Sequence, residues 1–156
     1  MIEHWLKRKD ILFLSQNIDD KDSAFRFMIE KAGTFNRSPK NIRMDLFYSF
    51  MEREKKSSTN LYNGVAVPHI ITPHVQDYLL LFGLSSQGID FKAIDHTLVF
   101  VIFMLFSPEN QRDQVLEKSA EIISTVMNIT QSKSFIEKLK NCQTEEAVLN
   151  LLLKTK

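Results

Sequence analysis

The sequence predicts an α/β fold: a three-layer sandwich with a single central mixed β-sheet of about five strands and helices on both faces. Three observations carry this expectation. Two continuous apolar runs of strand length, Tyr78–Leu84 and Thr97–Phe106, show no alternation, the pattern of strands covered on both sides. Segments of helical period precede and follow them, enough to cover both faces of one sheet. No repeat, low-complexity tract or Gly/Ser-rich linker divides the 156 residues, so residues 1–156 read as one domain.

Taken in order, Ile11–Leu14 is a short apolar run that suits an edge strand or a stretch covering the core. Asp19, Asp20 and Asp22 supply acidic start signals for a helix through Ala32. Ala24, Met28 and Ala32 share one face of it, and Gly33 is its stop. Ser38-Pro39 caps the next helix, which carries Ile42, Leu46 and Phe50 at fourfold spacing and reaches about Arg53. The polar stretch 57–64 leads into Val65-Ala66-Val67, a strand expected to end at Pro68. The run Tyr78–Leu84 is followed by a turn at Ser85–Gly88, and the run Thr97–Phe106 is ended by Pro108. Helical period returns from about Glu109 to Asn128, then in Ser134–Lys140 and in a last helix opened by Thr144.

Composition narrows the function classes. With 20 Lys and Arg against 19 Asp and Glu, net charge gives no support to nucleic acid as a partner. The longest apolar run falls well short of the ~20 residues of a membrane span, and no signal peptide opens the chain. Cys142 is the single cysteine, so an intramolecular disulfide is impossible and a cysteine-based zinc site is not expected; the setting reads as cytoplasmic. Neither a metal nor a cofactor is expected. His69 and His74 do not have the spacing of a helical metal-ligand pair, and the glycines fit no phosphate loop. Asp90 and Asp95 flank a turn, where aspartates act more often as caps than as an acid–base pair.

His69 is the candidate nucleophile. It follows a strand fixed in direction by Pro68, and residues beyond strand ends lie where α/β folds bind ligands. Upstream, Arg53 and the hydroxyls of Ser57, Ser58 and Thr59 offer a cation and donors for a tetrahedral anion. A nucleophile in line with charge-matched donors is what phosphoryl transfer requires. The bland alternative is a surface histidine, with Arg53 simply complementing a helix C-terminus.

The stretch REKKSSTNLYNGVAVPH (53–69) resembles, without a gap, the signature R-E-x-x-x-S-T-x-x-x-N-G-[IV]-A-[IV]-P-H of the fructose/mannitol-type IIA domains of the bacterial phosphotransferase system. IDFKAIDHTLVFVIFMLFSP (89–108) and LKNCQTEEAVLNLL (139–152) are similar to later segments of that family. In its free-standing length the chain looks most like a nitrogen-regulatory IIA protein. The resemblance implies that His69 accepts a phosphoryl group, on Nε2, from the phosphocarrier protein HPr or a related carrier. It implies that Arg53 stabilises that group and that Ser58, Thr59, Asn63 and Gly64 are phosphate-binding, the last two in the turn that precedes the strand. The downstream partner would be a IIB protein or a regulated target. Three departures stand out. Ser57, Asn60 and Tyr62 replace frequent glycines, and Ile70 replaces a small residue in a place that would narrow a partner's approach. Gln114 or Val115 falls where the family commonly has a second histidine. The last of these motivates a third reading, a partner-binding module with weak or no phosphotransfer.

Overall fold

Twelve- and eleven-residue antiparallel strands form the centre of the sheet. The computed structural model describes residues 1–56 and 61–154. The strands are β1 (Leu6–Phe13), β2 (Leu61–Tyr62), β3 (Val65–Ala66), β4 (His69–Thr72), β5 (Leu79–Asp90) and β6 (Leu98–Pro108). The helices are α1 (Lys21–Lys31), α2 (Lys40–Lys56), α3 (Val115–Ile129), α4 (Lys133–Lys140) and α5 (Glu145–Lys154). The sheet runs β1-β5-β6-β3-β2, with β4 also paired to β6. β1 is parallel to β5, β5 antiparallel to β6, and β3 and β4 both parallel to β6, so the sheet is mixed.

Alternate residues of the central strands enter two separate cores. Leu81, Ile102, Met104 and Phe106 pack with Phe25, Met28, Leu46 and Phe50 of α1 and α2. Leu80, Phe82, Phe103 and Leu105 pack on the opposite face with Ile122, Val126, Leu139 and Leu152 of α3, α4 and α5. Both layers are apolar because the strands are covered twice, which explains the unbroken apolar runs. The three-layer sandwich is as expected from the sequence.

Two boundaries differ from expectation for identifiable reasons. The strand expected to end at Pro68 is interrupted there and resumes. Val65 lies opposite Val101 and His69 opposite Leu105 in the same register, and the Pro68 carbonyl accepts a bond of 2.9 Å from Leu105 N–H. A proline lacks only the donor, so its acceptor keeps the ladder continuous. β3 and β4 are thus two pieces of one strand, which makes the sheet five strands wide. The expected turn at Ser85–Gly88 is instead an irregularity inside β5, between Leu84 and Ile89. Gly88 has φ 91, and its N–H donates to Ser85 Oγ at 3.0 Å. Small residues with positive φ signal bulges as well as turns.

The helix and turn caps act as anticipated, while α3 begins at Val115, after a short 3-10 turn at Glu109–Gln111, rather than at Glu109. Asp20 is the N-cap of α1, accepting from Ser23 N–H at 2.7 Å, and the Pro39 carbonyl accepts the first bonds of α2. β1 is the edge strand but starts at Leu6, earlier than the apolar run suggested. Asp90 and Asp95 cap their own turn, accepting from Lys92 N–H and Thr97 N–H. Among the described residues no helix is long and apolar enough to cross a membrane, and no three His, Cys, Asp or Glu side chains group to hold a metal ion.

Candidate functional site

The geometry of the site follows from the interrupted strand. Because β4 keeps the register of β3, side chains alternate faces through Pro68, and His69 and Ile70 point to opposite layers. Ile70 is 4 % exposed and packs in the core shared with α1 and α2. From that buried position it also lines the groove that Arg53 borders. His69 turns the other way, toward β6 and α3, and is half-buried there.

The ring meets a hydroxyl chain. His69 Nε2 lies 3.1 Å from Ser107 Oγ at the end of β6, and Ser107 Oγ lies 2.8 Å from Ser119 Oγ in α3. Ser119 Oγ in turn donates to the Val115 carbonyl one helical turn back. Ser107 is 0 % and Ser119 2 % exposed, so the chain is closed to water. Sequence reasoning misses both serines. The available signals were a hydroxyl closing the apolar run of β6, and a second at the position of α3 between buried Val115 and Ile122.

Electrostatics make the ring a neutral base. Burial pushes the His69 pKa from 6.5 down to about 4, and the positive charge of Arg53 adds to that shift. Arg53 stands in the last turn of α2 with Lys55 and Lys56, where cations complement the helix carbonyl end. It also lines an open groove of about 700 Å³ with Asp45, Tyr48, Lys56, Ile71 and His74. The neutral imidazole is the nucleophilic form, and the nearby guanidinium matches an incoming phosphoryl oxygen.

The remaining candidates are distributed as follows. Ser57, Ser58 and Thr59 lie outside the described residues. Asn63 (φ 53) and Gly64 (φ 79) form the two-residue turn between β2 and β3. Asn63 Nδ2 donates to the Gln131 carbonyl at 2.8 Å, and the Gly64 carbonyl accepts from Phe100 N–H at 2.8 Å. His69 lies four residue steps beyond Val65, roughly 13 Å of extended chain, so the turn is not beside the imidazole. Tyr62 pairs with Val65 as a strand residue, and the positive φ values fall on Asn63 and Gly64. Gln114 is the N-cap of α3 and Val115 its buried first residue. His74 is 3.3 Å from Asp45 across the groove, and His96, at φ 60, belongs to the loop before β6; no hydrogen bond or ion pair joins either to His69.

Comparison with known proteins agrees with this arrangement. The profile of the family described as "Phosphoenolpyruvate-dependent sugar phosphotransferase system, EIIA 2" matches residues 6–155. The chain is 26% identical over 125 residues to the fructose-specific EIIABC component of Bacillus subtilis, covering 80% of this chain but 18% of that protein. It is 38% identical over 104 residues to a fructose-like EIIA component of Escherichia coli, covering 66% of each. The crystal structure of the nitrogen regulatory protein IIA-Ntr from Neisseria meningitidis superposes with a TM-score of 0.80 at 26% identity, over 97% of this chain and 98% of that one. With the match running through both core layers and through the His69 strand alike, the chain belongs to the EIIA 2 family of the phosphoenolpyruvate-dependent sugar phosphotransferase system.

Proposed function

We propose that the protein accepts a phosphoryl group on His69 from an HPr-type phosphohistidine carrier and signals through its phosphorylation state to a regulated target in the cytoplasm. The observation that carries this reading is a half-buried imidazole held neutral beside Arg53, on a chain of the EIIA 2 family. In the transfer, the P–N bond of the carrier breaks, its electron pair returns to the carrier's ring, and a His69 lone pair forms the new P–N bond. Arg53 offsets the negative charge on the moving phosphoryl oxygens. Ser58 and Thr59 are assigned to bind those oxygens, while Asn63 and Gly64 serve the site through the turn that starts the His69 strand. The added phosphoryl group changes local charge by about two units, enough to switch an interface.

Transport is the second reading, favoured by the fructose-like relative: the phosphoryl group would pass on to a IIB partner. Incubation with phosphorylated HPr-type carrier should give a base-stable, acid-labile adduct that is absent in His69→Ala. Failure to label with several carriers would leave the partner-binding module as the better reading. Label that moves to an added IIB partner would establish transport over regulation.

A further inference from the structure

We propose that Lys21 and Glu54 are positioning residues whose buried ion pair fixes the rotation of the last turn of α2 and so aims Arg53 at the phosphoryl group on His69. The proposal deepens the phosphoacceptor reading and rests on it. It follows from where one carboxylate sits on the inner stripe of the helix.

Leu46, Phe50 and Glu54 recur every four residues along α2 and share the face turned to the core. Leu46 and Phe50 are 0 % and 1 % exposed, and Phe50 meets the rings of Phe25 and Phe106 at 5.7 and 5.1 Å. A third apolar residue would continue that packing, yet position 54 is a glutamate whose side chain is 5 % exposed. A carboxylate taken out of water needs a charged partner. Lys21 Nζ supplies it, donating to Glu54 Oε1 at 3.1 Å. The ammonium group also lies 5.7 Å from the centroid of Phe91, whose ring is edge-on to Phe25. Lys21 is itself held in place. It opens α1 behind the Asp20 cap, and the Asp19 carbonyl accepts from Asp90 N–H at 3.1 Å, tying that corner to the end of β5.

Arg53 precedes Glu54 and stands about 100° from it around the helix, on the exposed side that borders the groove with Tyr48, Glu52 and Lys56. Its reach toward His69 is therefore set by how the last turn is rotated. Side chains extend about 6 Å from a helix axis, so a rotation of about 10° moves their ends by about 1 Å. A displacement of that size can cost about 10²-fold in rate. Apolar packing is non-directional and would tolerate such a rotation. A charged hydrogen bond is directional and does not. Burying an ion pair is a poor way to gain stability, since an apolar pair of similar volume serves as well or better. Lys21 and Glu54 thus give the turn an orientation rather than strength. In this arrangement the charge of Arg53 already reaches the His69 ring, where it adds to the larger effect of burial in holding the imidazole neutral.

The test replaces the pair without changing net charge. Lys21→Met combined with Glu54→Leu should fold with a Tm within a few degrees of wild type, because the apolar pair fills the same space. In an NMR titration its His69 midpoint should nonetheless rise above about 4, toward that of Arg53→Gln, as the guanidinium loses its place beside the ring. Labelling by phosphorylated HPr-type carrier should slow by roughly 10–10²-fold. Lys21→Arg, which keeps the cation, should retain the wild-type midpoint and rate. In an Arg53→Gln background the same double replacement should change neither quantity further, because its effect passes through Arg53. Either a wild-type midpoint or a wild-type rate in the double variant overturns the proposal, as does an equal loss with and without Arg53. Lys21→Gln combined with Glu54→Gln, also neutral as a pair, carries the same expectations if the apolar pair does not fold. Absence of label on wild type overturns the phosphoacceptor reading, while the midpoints still decide whether the pair holds Arg53 beside His69.

Discussion

Arg53 acts on His69 in two ways that one substitution separates. As a charge it disfavours the imidazolium, adding to the larger effect of burial; in the proposed transfer it would also be a donor to the phosphoryl oxygens. Arg53→Gln keeps a long polar side chain and removes the charge. The His69 midpoint, followed by NMR titration, should rise above about 4 yet stay below 6.5, because the ring remains enclosed by β6 and α3. Labelling by phosphorylated carrier should slow by roughly 10²–10³, the usual cost of one lost transition-state donor. A slowed rate with an unmoved midpoint would assign Arg53 to the phosphoryl group alone and remove it as a cause of the ring's neutrality.

At the scale of elements, the turn between β2 and β3 sets where the His69 strand begins. Asn63 and Gly64 both have positive φ, the two-residue geometry whose twist suits a hairpin. A Cβ on Gly64 would stand 3.1 Å from the Phe100 ring and 3.3 Å from the Leu98 carbonyl, in a conformation already costly for an L-residue. Gly64→Ala should lower stability by about 1–2 kcal/mol, read as a fall in Tm of several degrees. An unchanged Tm would mean that the turn relaxes and that its geometry does not fix the strand. This turn was legible in the sequence, since Asn-Gly before a short apolar run has one common meaning. The continuation of the strand through Pro68 was not, because proline's missing donor is visible in a sequence and its working acceptor is not. The hydroxyl chain was illegible for another reason: Ser107 and Ser119 belong to different elements, and only the packing of α3 on β6 brings them together. His69 and Arg53 could be chosen beforehand because residue type and chain position suffice; the hydroxyls beside the ring needed the fold.

For the whole molecule, the enclosed imidazole is a source of acid sensitivity. His69 has a folded pKa of about 4 and an unfolded value near 6.5. Above 6.5 neither state binds the proton, and the stability associated with the neutral ring is fully present. As pH falls below 6.5 the unfolded chain takes up a proton that the folded chain refuses, so stability is lost progressively until pH reaches about 4. The ring is only half-buried, and solvent screening brings the expected loss to about 1–3 kcal/mol. Exposed carboxylates with lowered pKa values, Glu3, Asp20 and Asp95, begin to contribute only at the acid end of that window, and they contribute equally to a variant that lacks the ring. Urea unfolding of wild type and His69→Gln between pH 7.5 and 4.5 isolates the effect, because every other group titrates alike in both proteins. The stability of wild type relative to the variant should decline by about 1–3 kcal/mol across that range. Parallel curves would show that the native ring takes up its proton as freely as in the unfolded chain, and the packing of β4, β6 and α3 around it would then not exclude charge.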